Sequence, residues 1–375
     1  MRLFVFLTVA LSVYTAMHAV VYWALRPAWA GAPRAGLGVG VWMGLMIVSP
    51  VAVRLLDRAG LEALGRPLAW AAYTWLGLVF LAFWPAVALG LAELAARVGG
   101  ALLGTGPVRV RTPATAWTVL AAVLLVGTYG VWEATRLRVE RVRIASPKIP
   151  RPLRVVQVSD LHLGLLLRER TLDRVLRVVE RLEPDLLVAT GDIVDAQIDH
   201  LDGLSRRWAR VRPPLGKFAV VGNHEVYAGL GQSLAFLEKS GFRVLRNEAA
   251  AVGDLWVVGV DDEHAPGPLP DAGRLLAAAP PGRFVLVLKH RPVPLAGSEG
   301  RFDLQLSGHT HLGQIFPFRL FTGMAYPLQN GLYELAGGSR LYTSRGTGTW
   351  GPPMRVLAPP EVTLVELVPA GGDAR

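Results

Sequence analysis

The sequence of 375 residues contains no cysteine. This absence excludes disulfide bridges, thiolate metal sites and cysteine nucleophiles, so any metal ion would have to be held by histidine, carboxylate or amide side chains. Charged residues are also scarce, at 18% of the chain, and the mean hydropathy of +0.37 is high for a soluble enzyme. Most of the apolar excess lies before about residue 135. The composition therefore predicts two domains, one of which is solvated by lipid.

Acidic residues are few in the first part of the chain. Residues 1–145 hold 13 Arg against 5 acidic residues, which accounts for eight of the ten formal positive charges and leaves about +2 for the remainder. Arginines that flank apolar segments usually set membrane topology and contact lipid headgroups. The basic excess therefore indicates a membrane domain, and we expect no nucleic-acid partner.

Four apolar stretches are long enough to cross a bilayer, for which a helix needs about 20 residues. They are bounded by arginine, carry Trp or Tyr near their ends as interfacial anchors do, and run over residues 3–25, 36–53, 67–91 and 116–132. An alternative for the first stretch is a signal peptide, with Ala28-Trp29-Ala30 as the cleavage site, but its apolar core is longer than the usual 7 to 15 or so residues. Core helices of a soluble protein are the other alternative, and the near absence of charge disfavours them.

Four spans would put both chain termini on one side of the membrane. Nine basic residues then flank the spans on that side and five on the other, which favours cytoplasmic termini and a multi-pass protein with a cytoplasmic second domain. The loss or gain of one span would place the second domain on the outer side of the membrane. His18 lies within the first stretch, where an ionisable residue suggests a function, although a neutral histidine bonded between helices is the more ordinary interpretation. No charge pattern of a transporter pathway occurs, so residues 1–135 are predicted to be a membrane anchor or a lipid-facing platform.

The rest of the chain has the pattern of an α/β domain. Residues 136–152 alternate Arg with Val, Leu and Ile and then hold three prolines, which predicts a basic, strand-like linker. From residue 153 to about 370, apolar strands alternate with helical patterns, and the latter part is richer in strands. We predict an α/β fold, an αββα sandwich of two sheets covered by helices, preceded by the all-α transmembrane domain. The strands are predicted at 153–159, 185–190, 217–221, 255–260, 283–288, 302–306, 340–344 and 362–368.

Polar motifs follow the predicted strands where each apolar run stops. They are Ser159-Asp160-Leu161-His162, Gly191-Asp192, Gly222-Asn223-His224-Glu225, His290 and Gly308-His309-Thr310-His311. Carboxylate, amide and imidazole ligands together suit hard or borderline divalent metal ions. Each piece alone is weak evidence, since an exposed Asp-X-His pair or a structural histidine would look the same. Five motifs after successive strands predict a two-metal site.

This order of motifs resembles the calcineurin-like metallophosphoesterase superfamily over about residues 153–368. The run from His309 to Gln314 and the segment 344–355 look like its bacterial membrane-anchored subgroup, with Leu312 standing where glycine is usual, a departure expected to matter little. The resemblance implies that one metal ion is held by Asp160, His162, Asp192 and His311. It implies that the other is held by Asp192, Asn223, His290 and His309, with Asp192 bridging.

The resemblance also implies a mechanism. Two ions about 3.5 to 4 Å apart acidify a bridging water, whose hydroxide attacks phosphorus in line, so that no Ser or Cys nucleophile is needed. His224 matches the proton donor of the family, and a histidine that only orients a metal ligand is the alternative. The expected cofactors are two divalent metal ions, Mn or a mixed Fe/Zn pair, because such a site accepts several metals.

Six further residues have weaker assignments. Asp195 either supports the site or caps a helix, and Arg345 either forks onto a phosphate or caps a turn. Glu225 and Tyr227 are candidates for orienting substrate or ligands. The remaining two are expected at the solvated surface, namely His200 and His264.

The predicted function is hydrolysis of a phosphodiester or pyrophosphate bond by a membrane-anchored phosphoesterase, since a tethered site suits a lipid or envelope substrate. The resemblance makes relatives that act on nucleotide-linked lipids such as UDP-diacylglucosamine a guide to the substrate, with cell-wall phosphodiesters and soluble nucleotides as alternatives. The competing class is a non-catalytic membrane receptor or scaffold that binds metal or a phospholigand. A transporter with a regulatory soluble domain is a third hypothesis.

Overall fold

The computed structural model describes residues 2–106, 108–195, 201–267, 271–295, 297–298 and 300–371, so His200 lies outside the described residues. Contacts divide the chain into two compact units. The helical unit comprises Met1–Trp132 with Gly351–Met354, and the α/β unit comprises Glu133–Trp350 with Arg355–Arg375. Two domains were predicted, and the structure puts the boundary between the units at residues 132 and 133.

The helical unit consists mainly of four long helices. They are α1 (Arg2–Leu25), α2 (Pro33–Arg58), α3 (Glu62–Leu103) and α4 (Pro113–Ala134). Each is long and apolar enough to cross a membrane, and each of the four predicted stretches falls within one of them. The α3 helix has 42 residues and continues well beyond the predicted stretch 67–91 at both ends.

His18 is hydrogen-bonded between two of these helices. Its Nδ1 lies 2.8 Å from the carbonyl oxygen of Tyr14, and Trp75 donates through Nε1 to its Nε2 at 2.9 Å. Both ring nitrogens therefore have partners within the helical unit. This agrees with the structural interpretation of His18.

The α/β unit contains two six-stranded sheets. Its strands are β1 (Arg138–Ser146), β2 (Leu153–Val158), β3 (Leu186–Ala189), β4 (Lys217–Ala219), β5 (Arg243–Val244), β6 (Glu248–Val252), β7 (Leu255–Val260), β8 (Phe284–Lys289), β9 (Leu304–Ser307), β10 (Gly331–Glu334), β11 (Arg340–Thr343) and β12 (Glu361–Pro369). Its helices are α5 (Glu169–Arg181), α6 (Asp202–Trp208), α7 (Asn223–Lys239), α8 (Ala272–Ala277) and α9 (Arg319–Ala325). One sheet has the order β1-β12-β2-β3-β4-β5 and the other β10-β11-β9-β8-β7-β6.

Apolar side chains alternate between the two faces of each sheet and form three layers of core. Val155 of β2 faces the second sheet, while its neighbour Val156 faces the helices α5, α6 and α7. The α5 helix covers that outer face with apolar side chains at helical spacing, namely Leu172, Val175, Leu176 and Val179. On the far side, Leu276 of α8 packs with Val285 and other residues of the second sheet. These layers confirm the predicted αββα sandwich.

The predicted linker contributes a strand to this sandwich. The β1 strand pairs in parallel with β12 over nine residues, from Arg138 opposite Glu361 to Ser146 opposite Pro369. Its side chains alternate between buried Val142 or Ile144 and exposed arginine, as in an edge strand with one face on the core. The strand-like pattern of this segment was therefore read from the sequence, but its place in the sheet was not, because the partner strand lies more than 200 residues away.

We predict that Gly259→Ala destabilises the α/β unit. A Cβ at Gly259 in β7 would overlap the Leu245 Cβ and lie 2.7 Å from the Leu245 carbonyl oxygen, and overpacking of this kind costs about 1 to 3 kcal/mol. The melting temperature followed by near-ultraviolet circular dichroism should fall by about 5 °C. The control is Gly203→Ala in α6, where the new Cβ would have no described atom within 4 Å apart from its chain neighbours and the backbone of its own helix, and where alanine favours the helix. Equal melting temperatures of the two variants would contradict the packing described for β7.

Candidate metal centre

Each candidate ligand lies on a loop or helix start just after a strand. Asp160 and His162 follow β2, Asp192 follows β3, Asn223 begins α7 after β4, His290 follows β8, and His309 and His311 follow β9. Many of them have a left-handed backbone, with φ of 53° at Asp160, 51° at His162, 53° at Asp192, 74° at His309 and 48° at His311. This conformation costs about 1 to 2 kcal/mol for a residue with a Cβ, and such strain concentrates at functional sites.

One group of these side chains consists of Asp160, His162 and His311, whose potential ligand atoms all lie within 4.8 Å of one another. The two imidazole Nε2 atoms are 3.1 Å apart. The His311 Nε2 is also 3.4 Å from the Asp160 Oδ1. All three residues are buried, so they point nitrogen and oxygen atoms at one small volume that is shielded from water.

A second group consists of Asp192, His290 and His309. The His290 Nε2 lies 3.1 Å from the Asp192 Oδ2 and 3.0 Å from the His309 Nδ1. Asp192 also belongs to a third group with His162 and His224. Its carboxylate is therefore the element that the second and third groups have in common.

The protonation of these histidines suits metal ligation. Burial, together with the charge of neighbouring histidines, lowers the pKa of His162 to about 4 and that of His309 to about 3, so both imidazoles are neutral. His290 places its Nδ1 2.8 Å from the carbonyl oxygen of Thr190, which accepts the Nδ1 proton and turns Nε2 toward Asp192. Burial opposes a charge on His290, but Asp192 outweighs it and raises the pKa to about 10. Without a cation, a proton on Nε2 supplies the positive charge that Asp192 requires.

The buried side-chain oxygen of Asn223 also points to a bound cation. The Asn223 Oδ1 has no hydrogen-bond partner in the part of the chain that the structure describes, and the same holds for the His162 Nδ1. An unsatisfied buried polar atom costs about 1 to 3 kcal/mol and calls for an explanation. A divalent cation would supply the missing partner of the amide oxygen. The residues present therefore fit a centre of two divalent metal ions.

Glu225 holds two of the ligand loops together. It is fully buried, and its two carboxylate oxygens accept hydrogen bonds from four backbone N–H groups, of Asp192 and Gly222 at 2.8 Å, Ile193 at 2.7 Å and Val194 at 3.2 Å. The loop after β3 and the start of α7 are thus fixed to each other. Of the two roles suggested from the sequence, these contacts favour orientation of the candidate ligands.

His224 is positioned by two aspartates. Its backbone N–H donates to the Asp192 Oδ1 at 2.8 Å, and its Nδ1 lies 2.9 Å from the Asp195 Oδ1. Burial opposes a charge on the ring, but Asp192 and Asp195 outweigh it and raise the pKa of His224 to about 9. A protonated His224 therefore donates its Nδ1 proton to Asp195 and keeps a second proton on Nε2. Asp195 supports this histidine, as one of its two sequence interpretations had it.

Two arginines near the site have roles that the sequence did not indicate. Arg345 pairs with Glu361 at 2.7 Å and with Glu140, so two carboxylates hold its guanidinium in place. Arg355 is fully buried and places its Nη2 3.1 Å from the His311 Nδ1, while Nε and Nη2 donate to the Gly348 carbonyl oxygen. Burial and the charge of Arg355 lower the pKa of His311 well below its usual value and keep it neutral. The sequence offered no periodicity or spacing from which this contact could be inferred.

The His309–Gln314 loop combines tight packing with strained backbone. A Cβ at Gly308 would collide with the Ser159 Oγ and the Asp160 Oδ2, so only glycine lets the two ligand loops approach this closely. Leu312 has φ 50° and ψ 35°, the left-handed region that glycine adopts most easily. This explains why glycine would be usual at this position and indicates that leucine is tolerated there with strain.

A cavity of about 330 Å³ lies next to the second group of ligands. Tyr326 joins the two, because its Oη is 3.1 Å from the His309 Nε2 and accepts a hydrogen bond from the Arg291 Nη1 at 2.9 Å. The Asp262 carboxylate in turn holds Arg291 at 2.7 Å and His264 at 2.9 Å.

His264 is partly exposed, in keeping with the surface position expected for it. Tyr227 is also exposed, with its ring 5.5 Å from that of His224 at the rim of the site.

Comparison with known proteins gives the following similarities. The profile of the calcineurin-like phosphoesterases matches residues 153–313. An uncharacterized metallophosphoesterase of Aquifex aeolicus is 43% identical over 256 residues, which cover 65% of this chain and 97% of that protein. The transmembrane protein with metallophosphoesterase domain of Danio rerio is 31% identical over 67% of this chain, which spans 62% of the fish protein. A 5′-nucleotidase precursor from Thermus thermophilus aligns with 58% of this chain and 54% of that one, at 18% identity and a TM-score of 0.33.

We predict that Glu225→Gln weakens both the fold and metal binding. Glutamine has one acceptor oxygen in place of two and turns an NH₂ group toward backbone N–H donors, which should lower the free energy of unfolding by about 1 to 3 kcal/mol. Because the Asp192 loop is then less well fixed, the affinity for Mn²⁺ measured by titration calorimetry should fall about tenfold. Glu238→Gln, an exposed change on the same helix, is the control. An unchanged Mn²⁺ affinity in Glu225→Gln would show that this carboxylate does not organise the ligands.

Proposed function

The chain belongs to the calcineurin-like phosphoesterase family of hydrolases, and from this premise we propose that it cleaves a phosphodiester or pyrophosphate bond at a centre of two divalent metal ions. The observation that carries the proposal is the position of the buried Asp192 carboxylate. Its potential ligand oxygens lie within 4.8 Å of ligand nitrogens of His290 and His309 in one group and of His162 in another. A carboxylate common to two cation sites is what a pair of closely spaced ions requires.

We assign the ligands in two sets with Asp192 common to both. One set is Asp160, His162, Asp192 and His311, and the other is Asp192, Asn223, His290 and His309. When bound, two divalent cations lower the pKa of a water that serves as the nucleophile and neutralise charge on the phosphoryl group. Manganese, or iron with zinc, is the proposed pair, since nitrogen and oxygen donors accept each of them.

His224 is the proposed proton donor to the leaving oxygen. Its raised pKa near 9 keeps the ring protonated at neutral pH, and the contact with Asp195 fixes the orientation of the ring. Its side chain is 12% exposed, which leaves one edge open toward a substrate. The alternative role is that of a ligand, because His224 also lies within metal-binding distance of His162 and Asp192.

We further propose that α1 to α4 anchor the protein in a membrane and that the substrate is a lipid or a lipid-linked phosphoester. Four helices have the length and composition of membrane spans, and relatives from Danio rerio and Bos taurus carry the name transmembrane protein. Nine basic residues against five at the ends of the spans support a cytoplasmic α/β unit. The chain between the end of α4 and the start of β1 has only three residues, so the α/β unit would be joined to the membrane anchor by a short link.

Two variants test the assigned roles separately. Asp192→Asn should lose metal-dependent hydrolysis of bis-(p-nitrophenyl) phosphate and bind less metal, because both sets lose a charged ligand. His224→Ala should keep two metal ions per chain yet hydrolyse an alkyl phosphodiester about 10² to 10⁴ times more slowly, since proton transfer to the leaving oxygen is removed, and lose much less on bis-(p-nitrophenyl) phosphate, whose leaving group needs little protonation. Both are measured on chelator-treated full-length protein in detergent, with Mn²⁺, Zn²⁺ and Fe²⁺ added singly and metal content determined by mass spectrometry.

The control for these variants is His264→Ala, which removes a partly exposed histidine outside the three groups. It should retain both metal ions. A wild-type rate in Asp192→Asn would disprove the shared-carboxylate assignment, and loss of a metal ion in His224→Ala would make that residue a ligand. Full metal content without turnover in the wild-type protein would favour a metal-binding receptor over an enzyme.

The proposed topology can be tested with single cysteines because the chain has none of its own. If both termini are cytoplasmic, Thr105→Cys after α3 faces the extracytoplasmic side of the membrane. Ala59→Cys between α2 and α3 then faces the cytoplasm. A membrane-impermeant maleimide should label Thr105→Cys in intact cells and Ala59→Cys only after permeabilisation. The reverse labelling pattern would put the α/β unit on the outer side.

A further inference from the structure

The cavity of about 330 Å³ beside the second group of ligands lies at the carboxyl ends of β7 and β8. Side chains of β8 alternate between the inner and the outer face of the second sheet, as Leu288 and Val287 do. In the same alternation His290 points inward to the metal centre, whereas Lys289 and Arg291 line the cavity. One strand end therefore supplies both a candidate metal ligand and two cations of the cavity.

Tyr326 stands between the cavity and the candidate metal ligands. Its side chain lines the cavity, and its Oη lies 3.1 Å from the His309 Nε2. The same Oη accepts a hydrogen bond from the Arg291 Nη1 at 2.9 Å, which fixes the position of the hydroxyl group. A phosphoester held at the metal centre would therefore have room in this cavity for one of its ester groups.

The charges around the cavity balance each other. The described residues of its lining hold three carboxylates and two cations, namely Asp261, Asp262, Glu263, Lys289 and Arg291. Asp261 is paired with Arg246, a third cation, at 2.8 Å. Arg291 is paired with Asp262 at 2.7 Å and with Glu263 at 2.9 Å. Because a further ion would leave an unbalanced charge in a partly enclosed space, the lining favours a neutral ligand.

Two donor groups of the lining have hydrogen-bonding capacity to spare. The Lys289 ammonium has three N–H donors, and among the described residues it has one acceptor, the Val293 carbonyl oxygen at 2.6 Å. The Asn247 Oδ1 accepts the Asp261 N–H at 3.0 Å, which leaves the NH₂ group of this amide without a partner among the same residues. Hydroxyl oxygens accept such bonds and can donate in turn to the Glu263 carboxylate, which is 61% exposed.

Size and position narrow the choice of ligand further. The cavity is at the lower end of the range of about 300 to 1,000 Å³ for small-molecule sites, so it suits a single ring. His224, the proposed proton donor, groups with His162 and Asp192, whereas Tyr326 contacts His309 of the other group. The cavity thus adjoins the ligand group that does not include the donor to the leaving oxygen. It is therefore placed for the ester group that stays on phosphorus.

From these observations we propose that the cavity binds a neutral, hydroxyl-rich ring, a sugar or a cyclic polyol, that is esterified to the reacting phosphorus and stays on it after hydrolysis. The inference rests on the proposed function, since it concerns the substrate of the same metal centre. Lys289 and Asn247 donate hydrogen bonds to hydroxyl oxygens of the ring, and Glu263 accepts one. The enzyme thereby distinguishes polyol phosphodiesters from those whose second ester group is apolar.

The test compares p-nitrophenyl phosphodiesters that share the leaving group and differ in the retained ring, which is myo-inositol, cyclohexane or cyclohexane with a carboxylate. The Mn²⁺-loaded full-length protein in detergent should give a kcat/KM for the inositol ester at least about tenfold above that for the cyclohexyl ester, mainly through KM. Lys289→Met should reduce this ratio about fivefold, and Lys289→Arg, which keeps a cation, should restore much of it. Lys239→Met, exposed on α7, is the matched control and should keep the wild-type ratio.

Binding of the product supplies a readout that does not require turnover. Titration calorimetry of the Mn²⁺-loaded protein should give a Kd for myo-inositol 1-phosphate at least about tenfold below that for cyclohexyl phosphate. The melting temperature of each variant shows whether it is folded. Hydrolysis of bis-(p-nitrophenyl) phosphate, measured on the same samples, reports on the proposed function independently.

Three results would overturn the proposal. Equal kcat/KM values and equal product affinities for the inositol and cyclohexyl compounds would leave the cavity outside the substrate site. Preference for the ring with the carboxylate would assign the cavity to an anionic group. An equal loss on both esters in Lys289→Met would make Lys289 a structural residue only. Hydrolysis of bis-(p-nitrophenyl) phosphate without any preference among the rings would refute the cavity assignment alone.

Discussion

The burial of the Asp192 carboxylate is the constraint on which the rest of the α/β unit depends. An isolated buried carboxylate costs several kcal/mol, so it must be paired with positive charge or with hydrogen-bond donors. Burial works to raise the pKa of Asp192, but His290, His224 and the other histidines around it outweigh that effect and hold the pKa well below its usual value. The same carboxylate accepts the His224 N–H and thereby fixes the start of α7. The need to balance the charge of the Asp192 carboxylate therefore sets the positions of several loops.

Backbone conformation and the hydrogen bonds of two buried side chains together hold these groups in place. Ligands with left-handed backbone follow strands that are buried on both faces, and rigid strands can support a strain of about 1 to 2 kcal/mol per residue. Glu225 adds four hydrogen bonds from backbone N–H groups of two loops. Arg355 adds hydrogen bonds to carbonyl oxygens around His311. Buried side-chain hydrogen bonds thus fix the loops that carry the ligands.

The sequence was sufficient to predict the sandwich of two sheets and the places of the candidate ligands along the chain, because both depend on local patterns. Alternating apolar runs located β2 and β7 within a residue, and Asp160 or His309 could be recognised as polar residues at strand ends. Features that depend on distant partners could not be inferred. The short strands β5, β6 and β10 lack a pattern of their own, and the pairing of β1 with β12 joins the two ends of the domain. The ion pair of Arg345 with Glu361 could not be inferred either, because the carboxylate belongs to a separate strand, β12.

The charges of the donor set suggest why this centre suits an anionic substrate. The proposed ligands include two carboxylates, of Asp160 and Asp192, while Asn223 and the four imidazoles are neutral when they bind a metal ion. Two divalent cations in such a set would leave a net charge of about +2, to which the buried Arg355 adds one more. A third carboxylate in place of Asn223 would hold the cations more tightly but reduce the field on the phosphoryl group. An amide at this position keeps that field strong where negative charge develops in the transition state.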